Sequence, residues 1–294
     1  MPTVQHLTVE ACIAARFYPA GDTVGPAIVL CPGFTGTQGA AAIVAAAQAF
    51  AKAGVHALTF DYRSFGDSGG QPRQEISVSR QLADIRTVLQ HLRGMPTVEP
   101  DRVALWGSCL GGGHAVTIAG EDPRIFATVA QAPYNGIPND SGKERLENYK
   151  AWFAEVRRQR HPLRLHVQVV AETAGFSVFT QEEVGVNLAE IEGDTWRNEV
   201  AVRGLSDLAR YKPSDSADSI RGPILVCAGL DDTATPYSTL LPITDRAPKG
   251  TAYQYSATHF GMYQGNVRKR ALATQVRFVL RALRQLGHDV DKQN

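Results

Sequence analysis

Short β-branched runs alternate along this chain with longer stretches whose apolar residues recur at helical spacing. Val4–Val9 and Cys12–Tyr18 read as an N-terminal strand pair. Ala27–Cys31, Val55–Phe60, Arg102–Trp106, Phe126–Ala130, Ile224–Ala228 and Ala252–Tyr255 read as further strands. Between them lie an alanine-rich helix, Thr37–Ala53, stopped by Gly54, and an amphipathic helix, Gln74–Leu92, with Ile76, Leu82, Ile85, Val88, Leu89 and Leu92 on one face. Leu110–Ala119 and Arg268–Leu286 are also helical in pattern. A period of two that repeatedly gives way to 3.6 predicts an α/β fold with a doubly wound, mostly parallel sheet.

One segment breaks this rhythm. Between Pro133 and Pro223 run about 90 residues, where an ordinary strand-to-helix connection takes about 2–6. Lys143–Arg160 predicts a helix with an apolar stripe of Leu146, Tyr149, Trp152, Phe153 and Val156. Leu165–Val170 predicts a short strand, and Thr195–Tyr211 another helix. We read residues 135–221 as a mainly helical cap inserted after the sixth strand of a core made by residues 1–134 and 222–294.

Composition narrows the functional classes. The chain has 294 residues, 44% of them apolar, enough for one sizeable core plus a cap. Its net charge of +1 gives no electrostatic reason to expect nucleic acid or an anionic membrane as partner. Met1–Val9 lacks the basic region and apolar run of a secretory signal, and Ala40–Ala53 is too short and too polar to span a bilayer. Cys12, Cys31, Cys109 and Cys227 are widely spaced, which fits reduced cytoplasmic thiols better than disulfides or a zinc site. No metal or nucleotide motif is present, so no cofactor is expected.

The chemistry concentrates at Trp106-Gly107-Ser108-Cys109-Leu110-Gly111. A strand, a very tight turn and a glycine-rich helix start follow in succession, the requirement of a nucleophile elbow. Residues two before and two after the nucleophile must be nearly free of side chain. Cys109 has Gly107 and Gly111 there, whereas Ser108 has Trp106 and Leu110, so the cysteine takes the central place. The helix start favours a thiolate. The backbone N–H of Leu110, and a second from Phe34 in Cys31-Pro32-Gly33-Phe34-Thr35-Gly36, are the expected oxyanion donors.

On these residues the chain resembles the α/β-hydrolase superfamily over nearly its whole length. The motifs are Cys-Pro-Gly-Phe-Thr-Gly at 31–36, Asp-Tyr-Arg-Ser-Phe-Gly-Asp-Ser-Gly-Gly at 61–70, the elbow at 107–111, and two later loops. The cysteine is similar to that of dienelactone hydrolases. The long cap departs from those compact enzymes and resembles instead capped hydrolases and the acyl-transferring enzymes of polyketide pathways. Polyhydroxyalkanoate synthases share an elbow cysteine, but nothing else here points to them.

The resemblance implies the order nucleophile, acid, histidine. Of eight histidines, His259 is the one that follows the last strand and precedes the closing helix. His114 lies inside the helix after the elbow and reads as a packing residue, and His161 and His166 belong to the cap. In Gly229-Leu230-Asp231-Asp232-Thr233-Ala234-Thr235-Pro236 the superfamily's spacing selects Asp232, with Asp231 as a turn residue and Asp140 as a displaced alternative. Gly66-Asp67-Ser68-Gly69-Gly70 matches a trypsin-like serine signature, but it follows a parallel-type strand and reads as structural, with Arg63 bracing its loop.

The expected activity is a Cys109–His259–Asp232 enzyme that opens an ester, lactone or thioester through an acyl-enzyme. An acyltransferase or cyclase using the same three residues is the alternative, because a thioester intermediate accepts amines and alcohols under a water-excluding cap. A non-catalytic receptor, and a serine hydrolase whose nucleophile was exchanged for cysteine, also stay open at this point. The expected partner is a small acyl substrate, free or carrier-bound, and a homodimer is left open. An insertion after the sixth strand emerges at the carboxyl edge of the sheet, so it should roof the nucleophile. Tyr134, Trp152 and Trp196, with Phe153, Phe176 and Phe179, are the expected substrate contacts, and they suggest a bulky apolar acyl group.

Overall fold

A computed structural model describes residues 3–136, 166–172, 177–185 and 193–291, and positions 147, 150, 151 and 154. β1 (Gln5–Val9) and β2 (Ile13–Tyr18) form an antiparallel hairpin whose turn carries Glu10 and Ala11 at positive φ. Then follow β3 (Gly25–Cys31), α1 (Ala41–Lys52), β4 (His56–Phe60), α2 (Val78–Arg93), β5 (Val98–Ser108), α3 (Leu110–Glu121) and β6 (Ile125–Gln131). After the insertion come β10 (Ile224–Gly229), α6 (Tyr237–Arg246), β11 (Gly250–Tyr255) and α7 (Gly265–Asp291). The eight strands form one sheet in the order β1-β2-β4-β3-β5-β6-β10-β11, parallel from β4 onward. This is the α/β-hydrolase fold that the motifs imply.

The central strands are buried on both faces, which is why they read as continuous apolar runs rather than alternating ones. Leu58, Leu105, Ile85, Val88 and Val116 pack on one face with α2 and α3. Ile28, Leu30, Phe50, Trp106 and Val279 pack on the other with α1 and α7. Leu105→Ala is expected to cost about 2–5 kcal/mol through the cavity it leaves.

Three departures from the sequence pattern have local causes. α1 begins at Ala41 rather than Thr37, because residues 35–40 form turns, with Thr35 at φ +53. α2 begins at Val78 rather than Gln74, whose φ of +59 is not helical. α6 is absent from the pattern because Pro242 lies inside it, and an internal proline removes a backbone donor.

The segment between β6 and β10 holds a second sheet, β8-β7-β9, from β7 (His166–Ala171), β8 (Ser177–Thr180) and β9 (Val200–Ala201). Two short helices belong to it, α4 (Gln181–Val184) and α5 (Val202–Leu208). The strand near Leu165–Val170 is present as β7. Thr195–Tyr211, expected to be one helix, is helical over Val202–Leu208, followed by a short turn. Asn198 explains the difference. Its side chain accepts from Val170 N–H and donates to Val170 O, both at 2.8 Å, which ties the backbone to β7 instead of a helix. Positions 147, 150, 151 and 154 are helical, while Trp152, Phe153, Phe176, Asp140 and His161 lie outside the described residues.

Candidate active site

β5 runs into α3 through one residue, Cys109, at φ +51 and ψ −122. Such a conformation is costly for a non-glycine residue and persists only where its surroundings enforce it. They do so here. Cys109 N–H donates to Gln131 O of β6 at 2.9 Å, and Cys109 O accepts from Tyr134 N–H at 2.8 Å. A Cβ on Gly107 would lie 2.1 Å from Gly111 O, and one on Gly111 would lie 2.2 Å from Pro32 O. The glycines are therefore the condition for the turn, and Cys109 occupies its apex.

Three groups converge on the Cys109 sulfur: the His259 ring and the backbone N–H groups of Phe34 and Leu110. Burial pushes the thiol up, but the charge and hydrogen bond of His259 and those two N–H groups outweigh it, and its pKa falls below the ordinary value. His259 Nδ1 lies 2.8 Å from Asp232 Oδ2. Burial disfavours its charged form, but Asp232 and Cys109 overcome this and raise its pKa to about 10. Asp232 is held in turn by the N–H groups of Ala234 and Thr235 and by the Thr235 hydroxyl, at 2.9, 2.7 and 2.9 Å. Burial raises its pKa, and His259 and Thr235 more than reverse that. Asp231 is exposed, and its N–H donates to Ala257 O.

A cavity of about 70 Å³ opens beside the sulfur. Cys109, Ser108, His259 and Tyr263 form its polar end, and Phe34, Ile43, Val169, Phe179, Trp196 and Phe260 its apolar walls. Phe179 meets Phe34 and Phe260 edge to face, with centroids 6.1 and 5.4 Å apart. Trp196 Nε1–H donates to Thr35 Oγ1 at 3.3 Å. The sequence reading missed Thr35, Ile43, Val169 and Tyr263. They come from four separate elements, and no spacing links them.

Tyr134 does not line this cavity. Its hydroxyl donates to Leu208 O at 2.5 Å and its ring stacks on Tyr211, while its N–H bonds Cys109 O, so it ties the insertion to the elbow. His114 is fully buried between Tyr211 Oη at 2.9 Å and Gln81 Oε1 at 3.0 Å, and desolvation lowers its pKa to about 3. The serine of the trypsin-like run is structural: Ser68 Oγ donates to Asp61 O at 2.6 Å and accepts from Ala14 N–H at 2.9 Å. Arg63 pairs with Asp84, as expected of a brace. Among the described residues, no cluster of three or more His, Cys, Asp or Glu side chains could hold a metal. No helix among them is long and apolar enough to cross a membrane.

The family described as serine aminopeptidase, S33, matches residues 23–257, from just before β3 to the loop after β11. The chain belongs to this family. Unlike the serine its description names, this member carries Cys109 at the elbow. The S33-family chain is 28% identical to the quorum-quenching protein AidA of Acinetobacter baumannii (strain MDR-ZJ06), over 92% of its own length and 91% of that protein's. It is 32% identical to thiohydrolase apmlB of Arthrinium phaeospermum, over 72% and 73% of the two chains. It is 25% identical to polyketide transferase ATR5 of Stachybotrys chlorohalonatus (strain IBT 40285), over 96% of each. The crystal structure of α/β hydrolase GrgF from Penicillium sp. sh18 superposes with a TM-score of 0.78 at 20% identity, covering 96% of this chain and 99% of that one, a likeness of fold. The protein is an enzyme of the α/β-hydrolase superfamily, with relatives named as hydrolases and as acyl-transferring enzymes.

Proposed function

We propose that the protein is a cysteine-dependent acyl hydrolase that cleaves thioesters, lactones or activated esters through an acyl-enzyme on Cys109. The observation that carries this reading is the convergence of His259, Phe34 N–H and Leu110 N–H on one sulfur at a strained elbow. The thiolate adds to the acyl carbonyl, and the oxyanion takes up the two N–H groups. The carbonyl carbon–leaving-group bond then breaks, and the departing thiolate or alkoxide takes the proton from His259. Water attacks the Cys109 thioester, returns a proton to His259, and expels the Cys109 thiolate. Asp232 holds the ring in the tautomer that this exchange needs.

Within this reading residues 135–221 form a lid on the core of residues 1–134 and 222–294. The contacts of Phe179 and Trp196 with the cavity support it. Four free cysteines fit a reducing, cytoplasmic setting. A relative named thiohydrolase supports thioester cleavage. One named polyketide transferase favours a second reading, in which an alcohol or amine replaces water as acceptor.

The test is intact mass after mixing with acyl N-acetylcysteamine thioesters, with and without an alcohol or amine acceptor. The expected result is an acyl adduct on Cys109 that decays to free acid. Decay to the acceptor's ester or amide instead selects the second reading. Turnover without any adduct in wild type or His259→Ala overturns the covalent mechanism.

A further inference from the structure

Phe34, whose N–H faces the Cys109 sulfur, is second in a four-residue turn, Gly33-Phe34-Thr35-Gly36, closed by Gly36 N–H donating to Gly33 O at 3.0 Å. Thr35 is third in that turn, at φ +53. Glycine or asparagine usually fills such a place, because a branched side chain is strained at positive φ. A threonine held there depends on its surroundings to stay.

Those surroundings come from two directions. Beyond the turn, the loop is tied to the core: Asp61 accepts from Gln38 N–H at 2.7 Å and from Gln38 Nε2 at 3.0 Å. The turn itself is met by the insertion. Trp196 Nε1–H donates to Thr35 Oγ1 at 3.3 Å, and the Phe179 ring meets Phe34 edge to face. Trp196 is anchored by its own N–H, which donates to Gly193 O at 2.9 Å. Gly193 packs its backbone on the same loop, where an added Cβ would lie 2.9 Å from Ala40 N. Thr35 is 2% exposed, so bulk water does not replace the indole N–H as its partner.

We propose that Trp196 is a positioning residue for the oxyanion hole: its N–H holds Thr35 in the strained turn, and Thr35 keeps the neighbouring Phe34 N–H on the Cys109 sulfur. The inference rests on the Cys109 acyl-enzyme reading and adds that the insertion completes the site as well as covering it. Without the indole N–H the turn relaxes, and the Phe34 N–H leaves two tasks. In the free enzyme that N–H helps to hold the Cys109 thiol below its ordinary pKa, so its departure lets the thiol rise. In the reaction it is one of two donors to the oxyanion.

The test uses Trp196→Phe, which keeps an aromatic wall and removes the N–H, with Thr35→Val, Thr35→Ser and the double variant Trp196→Phe/Thr35→Val. Alkylation of Cys109 by iodoacetamide is followed against pH without substrate. Acylation by butanoyl N-acetylcysteamine is followed by intact mass, and thiol release gives kcat and KM. Trp196→Phe and Thr35→Val should each move the alkylation profile to higher pH and slow acylation by about tenfold or more, against about 10²–10³-fold for a donor removed outright. The double variant should be no worse than either single one, because both break the same contact. Thr35→Ser, which keeps the hydroxyl, should stay near wild type. An unmoved alkylation profile with a change in KM alone makes Trp196 a wall of the cavity and overturns the proposal. Losses that add in the double variant overturn it too. Those failures leave the wild-type adduct on Cys109 in place, whereas no adduct in wild type sinks the Cys109 reading and this inference together. Melting temperatures of the variants separate a displaced turn from unfolding.

Discussion

Two buried histidines flank the elbow, and they behave in opposite ways. His259 is 4% exposed and His114 is 0% exposed, and each ring has partners at both nitrogens. Yet the pKa of His259 is raised to about 10 and that of His114 is lowered to about 3. Burial disfavours charge in both. The difference is the charge of the partners: an aspartate and a thiol for His259, a tyrosine hydroxyl and a glutamine amide for His114. A neutral cage leaves desolvation unopposed, whereas a carboxylate on one side and a thiolate on the other stabilise an imidazolium. The first arrangement serves packing and the second stores a proton.

The largest effect expected is at the sulfur that separates the two environments. Cys109→Ala should lower kcat/KM toward an acyl thioester by about 10⁴-fold or more, with the melting temperature little changed. A variant with most of its activity left would displace Cys109 from the mechanism. Cys109→Ser should also lose at least about 10²-fold, because His259 must then deprotonate a far weaker acid. Serine activity equal to cysteine's would point to an original serine enzyme.

Exchanging the histidines tests the comparison directly. His259→Ala should slow breakdown of the acyl-enzyme by about 10³-fold, and its formation less, so the adduct accumulates in intact-mass spectra. His114→Gln should instead cost about 1–3 kcal/mol of stability, read by denaturant unfolding, because Tyr211 and Gln81 lose well-placed partners. Activity lost with His114 at unchanged stability would give that ring a chemical role.

The carboxylates offer a finer pair. Asp232→Asn should lower kcat by about 10²-fold, through loss of charge and orientation at His259. Asp231→Asn should stay within about twofold, since its exposed side chain lies outside this network. The reverse order would move the acid by one residue.

The smallest effects are in pH dependence. His259 and the two backbone N–H groups hold the Cys109 thiol below its ordinary pKa, so its iodoacetamide labelling should set in at lower pH than that of a free cysteine. Cys31 and Cys227, whose thiols burial pushes up, should stay unlabelled. As pH rises through about 10, His259 loses its proton, and turnover should fall while alkylation persists. Labelling that tracks an ordinary thiol would break the ion pair on which the contrast rests.

Much of this was legible from sequence wherever a local constraint forces a residue type. Gly107 and Gly111 mark the elbow because a side chain at the first meets Gly111 backbone in the same turn and one at the second meets Pro32 backbone in the loop after β3. His259 and Asp232 follow from chain order, once the strands that carry them are recognised by their apolar runs. The element ends were less legible. They depend on which backbone groups are already engaged elsewhere, as Asn198 does when it unwinds the expected helix by bonding Val170.

The one-dimensional pattern thus determined the sheet and the elbow, because each is set by neighbours within a few residues or by a period along the chain. Only the tertiary structure decided their environment. It turned Tyr134 toward Leu208 rather than the cavity and lined the cavity beside the sulfur with Phe179 and Trp196. It also separated two histidines that are alike as letters. Charge, burial and unpaired hydrogen bonds are properties of surroundings assembled from distant segments, and no spacing in the chain encodes them.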